Sequence, residues 1–130
     1  MLKLLSEIDE YRNGDIAKGG AEAILSLWEN SLERHPYMFY MGTDFRKLKA
    51  PAMWYDIVSV ADVLSRLDFV KADSRFREMA GIIKAKRDSD GMFTPESAYQ
   101  KFKGWDFGQK KKASPYLSFI CTRMLNRLAG

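Results

Sequence analysis

Cysteine and histidine are almost missing from this chain, which has one of each, Cys121 and His35, in 130 residues. A single cysteine excludes an intramolecular disulfide, and a single histidine excludes a multi-histidine metal site within one chain. A zinc site takes three or four ligands at about 2–2.3 Å from one ion. With the two residues far apart in sequence, neither a metal nor a cofactor is expected. Long apolar runs are missing too, because charge interrupts them, so no membrane span is expected. Residues Met1 to Ile8 lack the apolar core and small-residue cleavage site of a signal peptide, and the chain reads as cytoplasmic. No stretch sustains the alternation of a strand. There is no Walker-type glycine loop and no Gly-x-Gly-x-x-Gly after a strand, which speaks against nucleotide-dependent chemistry.

What remains is an ordinary globular composition, 46% hydrophobic and 29% charged. Its length suits a single domain over residues 1–130. Folding at this size buries roughly two-thirds of the unfolded surface, enough for a core without disulfides. The net charge of +4 hides an asymmetry. Residues 1–70 carry eight Lys/Arg against eleven Asp/Glu, and residues 71–130 carry thirteen against six. Such a split suits an anionic partner for the second half, two halves or subunits that attract each other, or a solvated basic face.

The apolar period is helical throughout. Leu2, Leu5 and Ile8 begin a first helix that Asn13-Gly14 should end. Gly19-Gly20 is expected to open a second, with the stripe Ala21, Ile24, Leu25, Trp28 and Leu32, closed by Pro36. The connection from Tyr37 to Ala50 is long, and its aromatics and methionines imply that it is packed down. Pro51 suits the first turn of a third helix. That helix would use Met53, Trp54, Ile57, Val58, Val60, Ala61, Leu64 and Leu67, an apolar surface too broad for one face, and would be central. Asp73 is an N-cap for a fourth helix carrying Phe76, Met79, Ala80 and Ile83, ended by the turn Asp88-Ser-Asp-Gly91. A second long connection spans 91–113. Ser114-Pro115 starts a last helix with Leu117, Ile120, Cys121, Met124, Leu125 and Leu128. The expected class is all-α, about five helices with two long packed loops. Bundle connections are normally short, so something must fix those loops.

Few residues stand out chemically. Cys121 lies on an apolar stripe, where a free cysteine acts as a small hydrophobe. His35, at a helix end, reads as structural. Asp88 and Asp90 belong to a turn beside Lys86 and Arg87. Asp56 follows Trp54-Tyr55 on a helix that should be buried, and a buried carboxylate needs partners. It either caps or pins a loop, for example through Arg46 or a lysine, or faces a cavity. The segment from Tyr99 to Lys112 interleaves Lys101, Lys103, Lys110, Lys111 and Lys112 with Tyr99, Phe102, Trp105 and Phe107. Single strands can stack on such rings while lysines meet phosphates. The segment has no arginine and no RNA-module signature, and rings in a long loop are more often its anchors to the core.

Residues Phe76 to Phe93, a helix followed by Lys86, an Asp-Gly turn and an aromatic, resemble a repeat of the terpenoid cyclase and protein prenyltransferase α/α-toroid superfamily. Lys86 stands where glutamine is common there and Phe93 where tryptophan is. Ser114 to Leu125 is similar to the following helix of that repeat, and Leu48 to Leu64 to the preceding one. The resemblance spans about residues 19–128 and is nearest to uncharacterised prokaryotic members labelled prenyltransferase-like. It implies a partial α/α toroid, corresponding to the C-terminal part of a ring of about twelve helices. It carries over no catalytic set, because the Asp-x-Asp-Asp acid of triterpene cyclases is missing. The Asp, Cys and His zinc ligands of protein prenyltransferases are missing too, with Val58 two positions after Asp56.

The resemblance further implies a cavity lined by inner aromatics and an apolar, isoprenoid-like ligand. The ligand-binding residues expected are Trp54, Tyr55, Asp56, Trp105 and Phe107. Helices cut from a ring expose apolar edges, so self-association or a missing N-terminal half is the expected partner. The expected function is ligand binding or protein association with no catalytic residue. Alternatives are an enzyme fragment whose catalytic residues lie in the missing half, and a basic nucleic-acid adaptor using the five lysines.

Overall fold

The computed structural model describes residues 1–31, 33, 40–53, 55–105 and 109–130. The expectations placed on Leu32, His35, Pro36, Trp54 and Phe107 lie outside these residues. Among the described residues the chain is mainly helical, with α1 (Leu2–Glu7), α2 (Asp9–Arg12), α3 (Asp15–Glu29), α4 (Ile57–Leu64), α5 (Ser74–Lys84) and α6 (Pro115–Ala129). Two 3-10 turns, Asp68–Val70 and Gln100–Phe102, join them. No helix here is long and apolar enough to cross a membrane.

The first three helices differ from the sequence reading in their boundaries. The first helix breaks at Ile8, whose extended backbone (φ −108°, ψ 113°) separates α1 from α2. The Arg12 Nε–H donates back to the Ser6 carbonyl across this break (2.9 Å). The second helix starts at Asp15 and runs through Gly19 and Gly20. A side chain added at Gly19 would meet open space, and one at Gly20 would touch Leu2 at 3.4 Å. It ends at Glu29, well before Pro36, with Asn30 as the C-cap. The third helix begins at Ile57, not Pro51. Lys49 and Ala50 lie in a strand, Ala50–Pro51 is a cis peptide, and the helix starts where Asp56 can cap it.

Starts with a local side-chain signal agree with the sequence. Asp73 Oδ1 accepts from the Arg75 N–H at the start of α5 (2.9 Å), and Ser114 Oγ accepts from the Leu117 N–H at the start of α6 (3.2 Å). Each such cap is worth about 1 kcal/mol. Asp88 Oδ1 accepts from the N–H groups of Asp90 and Met92, and Gly91 takes a left-handed φ of 80°. A side chain is strained in that conformation.

The core is one cluster of side chains from α1, α3, α4, α5, α6 and both long connections. Helix α4 is central and packs on α1, α5 and α6. Its residues Ile57, Val58, Ala61 and Leu64 are wholly buried. Phe76, Met79 and Ile83 of α5 and Leu117, Cys121 and Met124 of α6 meet them in the core. Complete burial of such large side chains contributes roughly 1.5–3 kcal/mol each. Desolvation pushes the Cys121 thiol up to about 12, so it stays protonated at neutral pH.

A short parallel pairing fixes the long connections. Strand β1 (Lys49–Ala50) lies beside β2 (Ser97–Ala98), in the register Lys49 to Ser97 and Ala50 to Ala98. The expectation of no strand is therefore corrected by two residues on each side. Glu96 accepts the Leu48 N–H (2.7 Å). The Lys86 ammonium donates to both Glu96 and the Arg46 carbonyl, each at 2.6 Å. Met41, Phe45 and Leu48 of the first connection and Phe93 of the second are buried, as a packed loop requires. The charge asymmetry is partly internal: Arg75 pairs with Glu22 and Glu29, and Arg123 and Arg127 pair with Asp62. All four links join the acidic half to the basic one.

Candidate ligand-binding site

Of the ligand-binding residues singled out in the sequence, Tyr55, Asp56 and Trp105 are described, and their settings differ. Asp56 is fully buried and takes the capping role. Its Oδ1 accepts the Ser59 N–H and its Oδ2 the Ser59 hydroxyl, both at 2.9 Å. Burial raises its pKa above the ordinary 3.8, against the opposing pull of Ser59 and Lys49. Trp105 stands 57% exposed, its ring edge-on to Phe102 (5.9 Å), so it is not an anchor buried in the core. Lys101, Lys103, Lys110, Lys111 and Lys112 are likewise on the surface. Trp54 and Phe107 lie outside the described residues.

Tyr55 does line a cavity. A groove of about 600 Å³ opens between α1, α4 and α6. Val60 and Val63 form the α4 side, and Ile120 and Tyr116 the α6 side. Ile24 and Tyr55 help to close it. These valines are the half-buried part of α4's broad apolar surface, packed against the core on one side and lining the groove on the other. The Tyr55 ring rests on Phe45 (centroids 5.1 Å apart), which ties this wall to the first long connection. Burial raises the pKa values of Tyr55 and Tyr116 above 10, so both remain hydroxyl donors at neutral pH.

One edge of the groove is charged, and sequence reasoning missed it. Asp62 is buried on the otherwise apolar α4, and three guanidinium groups converge on it. Arg66 reaches it at 3.2 Å, Arg123 at 3.0 Å to both oxygens, and Arg127 at 2.9 Å. Arg66 also pairs with Glu7. Burial, followed by the neighbouring Arg127 and Arg123, lowers the Arg66 pKa below the ordinary guanidinium value. Among the described residues, the Nε atoms of Arg66 and Arg123 are buried without a hydrogen-bond partner. A signal existed in the sequence: Asp62 and Arg66 are four apart, as are Arg123 and Arg127, which puts each pair on one helical face.

Among the described residues no group of three or more His, Cys, Asp or Glu side chains could hold a metal ion. No family model, curated protein or solved structure matches the chain.

Proposed function

We propose that the chain is a binding domain for an apolar small molecule, held in the groove between α1, α4 and α6 and without a catalytic residue of its own. The observation that carries this reading is the groove itself: about 600 Å³, inside the usual range of small-molecule sites. Its aliphatic and tyrosine walls contribute desolvation, and the charged edge at Asp62, Arg66 and Arg123 would orient one end of the ligand. The α/α-toroid resemblance points to the same ligand class.

Native mass spectrometry of freshly purified protein tests the reading. A co-purified apolar mass that is lost on substituting Val60→Glu, with the fold retained by circular dichroism, supports it. A ligand-free protein that also fails to take up a fluorescent apolar probe at this groove defeats it.

Self-association is the second reading, favoured by the exposure of Leu4 and Ile16 (each 67%) and Phe119 (61%). A concentration-dependent dimer that Phe119→Ser abolishes would support it; a monomer at all concentrations would not. The nucleic-acid alternative rests on exposed Trp105 between Lys101, Lys103 and the lysines 110–112. It fails if single strands do not bind even at low salt.

A further inference from the structure

A second cleft lies across Arg66 and Arg123 from the apolar groove. It has a volume of about 440 Å³ and runs between the α1–α2 break, the residues following α4 and the end of α6. Its walls carry five cations, Arg12, Arg66, Lys71, Arg123 and Arg127, against the carboxylates Glu7 and Asp68. Counting Asp62 beneath them and Asp9, which pairs with Arg12 (2.6 Å), the cations still exceed the carboxylates by one.

The arginines are also under-used as donors. Three guanidinium groups share the one carboxylate of Asp62. Arg127 commits only its Nη1, to Asp62 and to Ser65 Oγ (3.3 Å). Its remaining donors have no protein partner among the described residues. The Nε atoms of Arg66 and Arg123 are buried and have no hydrogen-bond partner among the described residues. Lys71 also lines the cleft, and among the described residues its ammonium pairs with the exposed Asp68 alone (2.9 Å). Buried donors without acceptors are costly, and an anion supplies several acceptors at once.

We propose that this cleft binds an oxyanion of the phosphate class, held by Arg127 and Lys71 with Arg12 at the rim. Arg66, Arg123 and Arg127 each meet Asp62 through a single Nη atom, and a tetrahedral group, which can be approached from several sides, suits the donors that remain. The cleft shares Arg66 and Arg123 with the apolar groove, but Arg12, Lys71 and Arg127 line the cleft and not the groove, so an empty groove would leave those three residues untouched.

The test is a ¹H–¹⁵N NMR titration with inorganic phosphate, with glycerol phosphate as a second arm and sodium chloride at matched ionic strength as the control. Saturable shifts clustered at Ser6, Ser65, Arg66, Lys71 and Arg127 are expected from at least one phosphate. Tighter binding of the monoester would identify a phosphorylated small molecule as the source, and tighter binding of inorganic phosphate the free ion. Arg127→Gln should weaken binding about tenfold, the loss of a single charge-assisted contact. Lys71→Gln, which disturbs only an exposed pair, should weaken it in the same direction with spectral dispersion unchanged. Shifts that track ionic strength without saturating, or saturation unaffected by Lys71→Gln, would overturn the assignment.

Discussion

The two ends of α4 bury a carboxylate each, six residues apart, and satisfy them by opposite means. Asp56 spends its oxygens on the first turn of its own helix, through the Ser59 N–H and hydroxyl. Asp62 spends its oxygens on Arg66 one turn on and on Arg123 and Arg127 from the far end of the chain. The first arrangement needs only four consecutive residues to be in place. The second exists only after α4 and α6 have docked, so it is a tertiary interaction that also locks the two helices in register. A local cap and a long-range charge cluster therefore divide the work on one short helix, and they should respond differently to mutation.

The sharpest way to break the comparison is to neutralise Asp62. Asp62→Asn leaves Arg123 and Arg127 without their counter-charge in a partly buried setting. Removing one partner of a buried ion pair costs about 3–5 kcal/mol, and the partial exposure of these arginines places the expected loss near the lower limit. Urea denaturation measures it. Replacing Arg123 and Arg127 by Met in the same background should recover part of the loss, since the unpaired charges go as well. A loss below that for the cap would show that the cluster is solvated and that the docking of α6 does not depend on it.

Asp56→Ala comes next, with an expected loss of about 1 kcal/mol, the usual worth of an N-cap. Its amide exchange should rise in the first turn of α4 alone. Glu96→Ala should be milder still, costing up to about 1 kcal/mol for the backbone bond it removes. Glu96 receives both the Leu48 N–H and Lys86, so faster exchange should appear across Leu48–Ala50 and Ser97–Ala98 together. Exchange that rises on only one of the two strands would mean that the loops hold independently.

What the sequence disclosed follows the same division. The caps at Asp73 and Ser114, the turn at Gly91 and the apolar faces of α5 and α6 are encoded within a few residues, and each was legible. The broad apolar surface of α4 was legible too, although its half-buried valines read as core rather than as a groove wall. Three features depended on distant partners. Pro51 looks like a helix start until β1 pairs with β2, residues 97–98 being nearly fifty positions away. Lys86 and Glu96 look like solvated charges until both loops are folded around them. Asp62 is unremarkable as a helix residue until α6 delivers two arginines. Trp105 misled in the opposite sense, since a ring in a long loop usually packs inward and this one does not.

The smallest effect tests the local end of the comparison by its pH dependence. Asp56 has a folded pKa raised above 3.8 by burial. Between 3.8 and that raised value the folded chain holds a proton that the unfolded chain has released, so this group's contribution to stability falls as pH rises through the window. Asp44 and Asp73 run the other way. Hydrogen bonds from Lys49 and Arg75 hold their pKa values below 3.8, and the stability they add is present above 3.8 and lost as acid protonates them. The two windows meet at 3.8 without overlapping. Asp56→Asn keeps an oxygen for the Ser59 N–H and removes the titration. Its stability relative to the parent protein should therefore climb as pH rises from 3.8 and level off once the parent's carboxyl is ionised, while the acid limb set by Asp44 and Asp73 stays common to both. A difference that is flat across this range would mean that the cap carboxyl titrates as it does in the unfolded chain. Burial would then impose no penalty at Asp56, and the distinction between the two ends of α4 would rest on Asp62 alone.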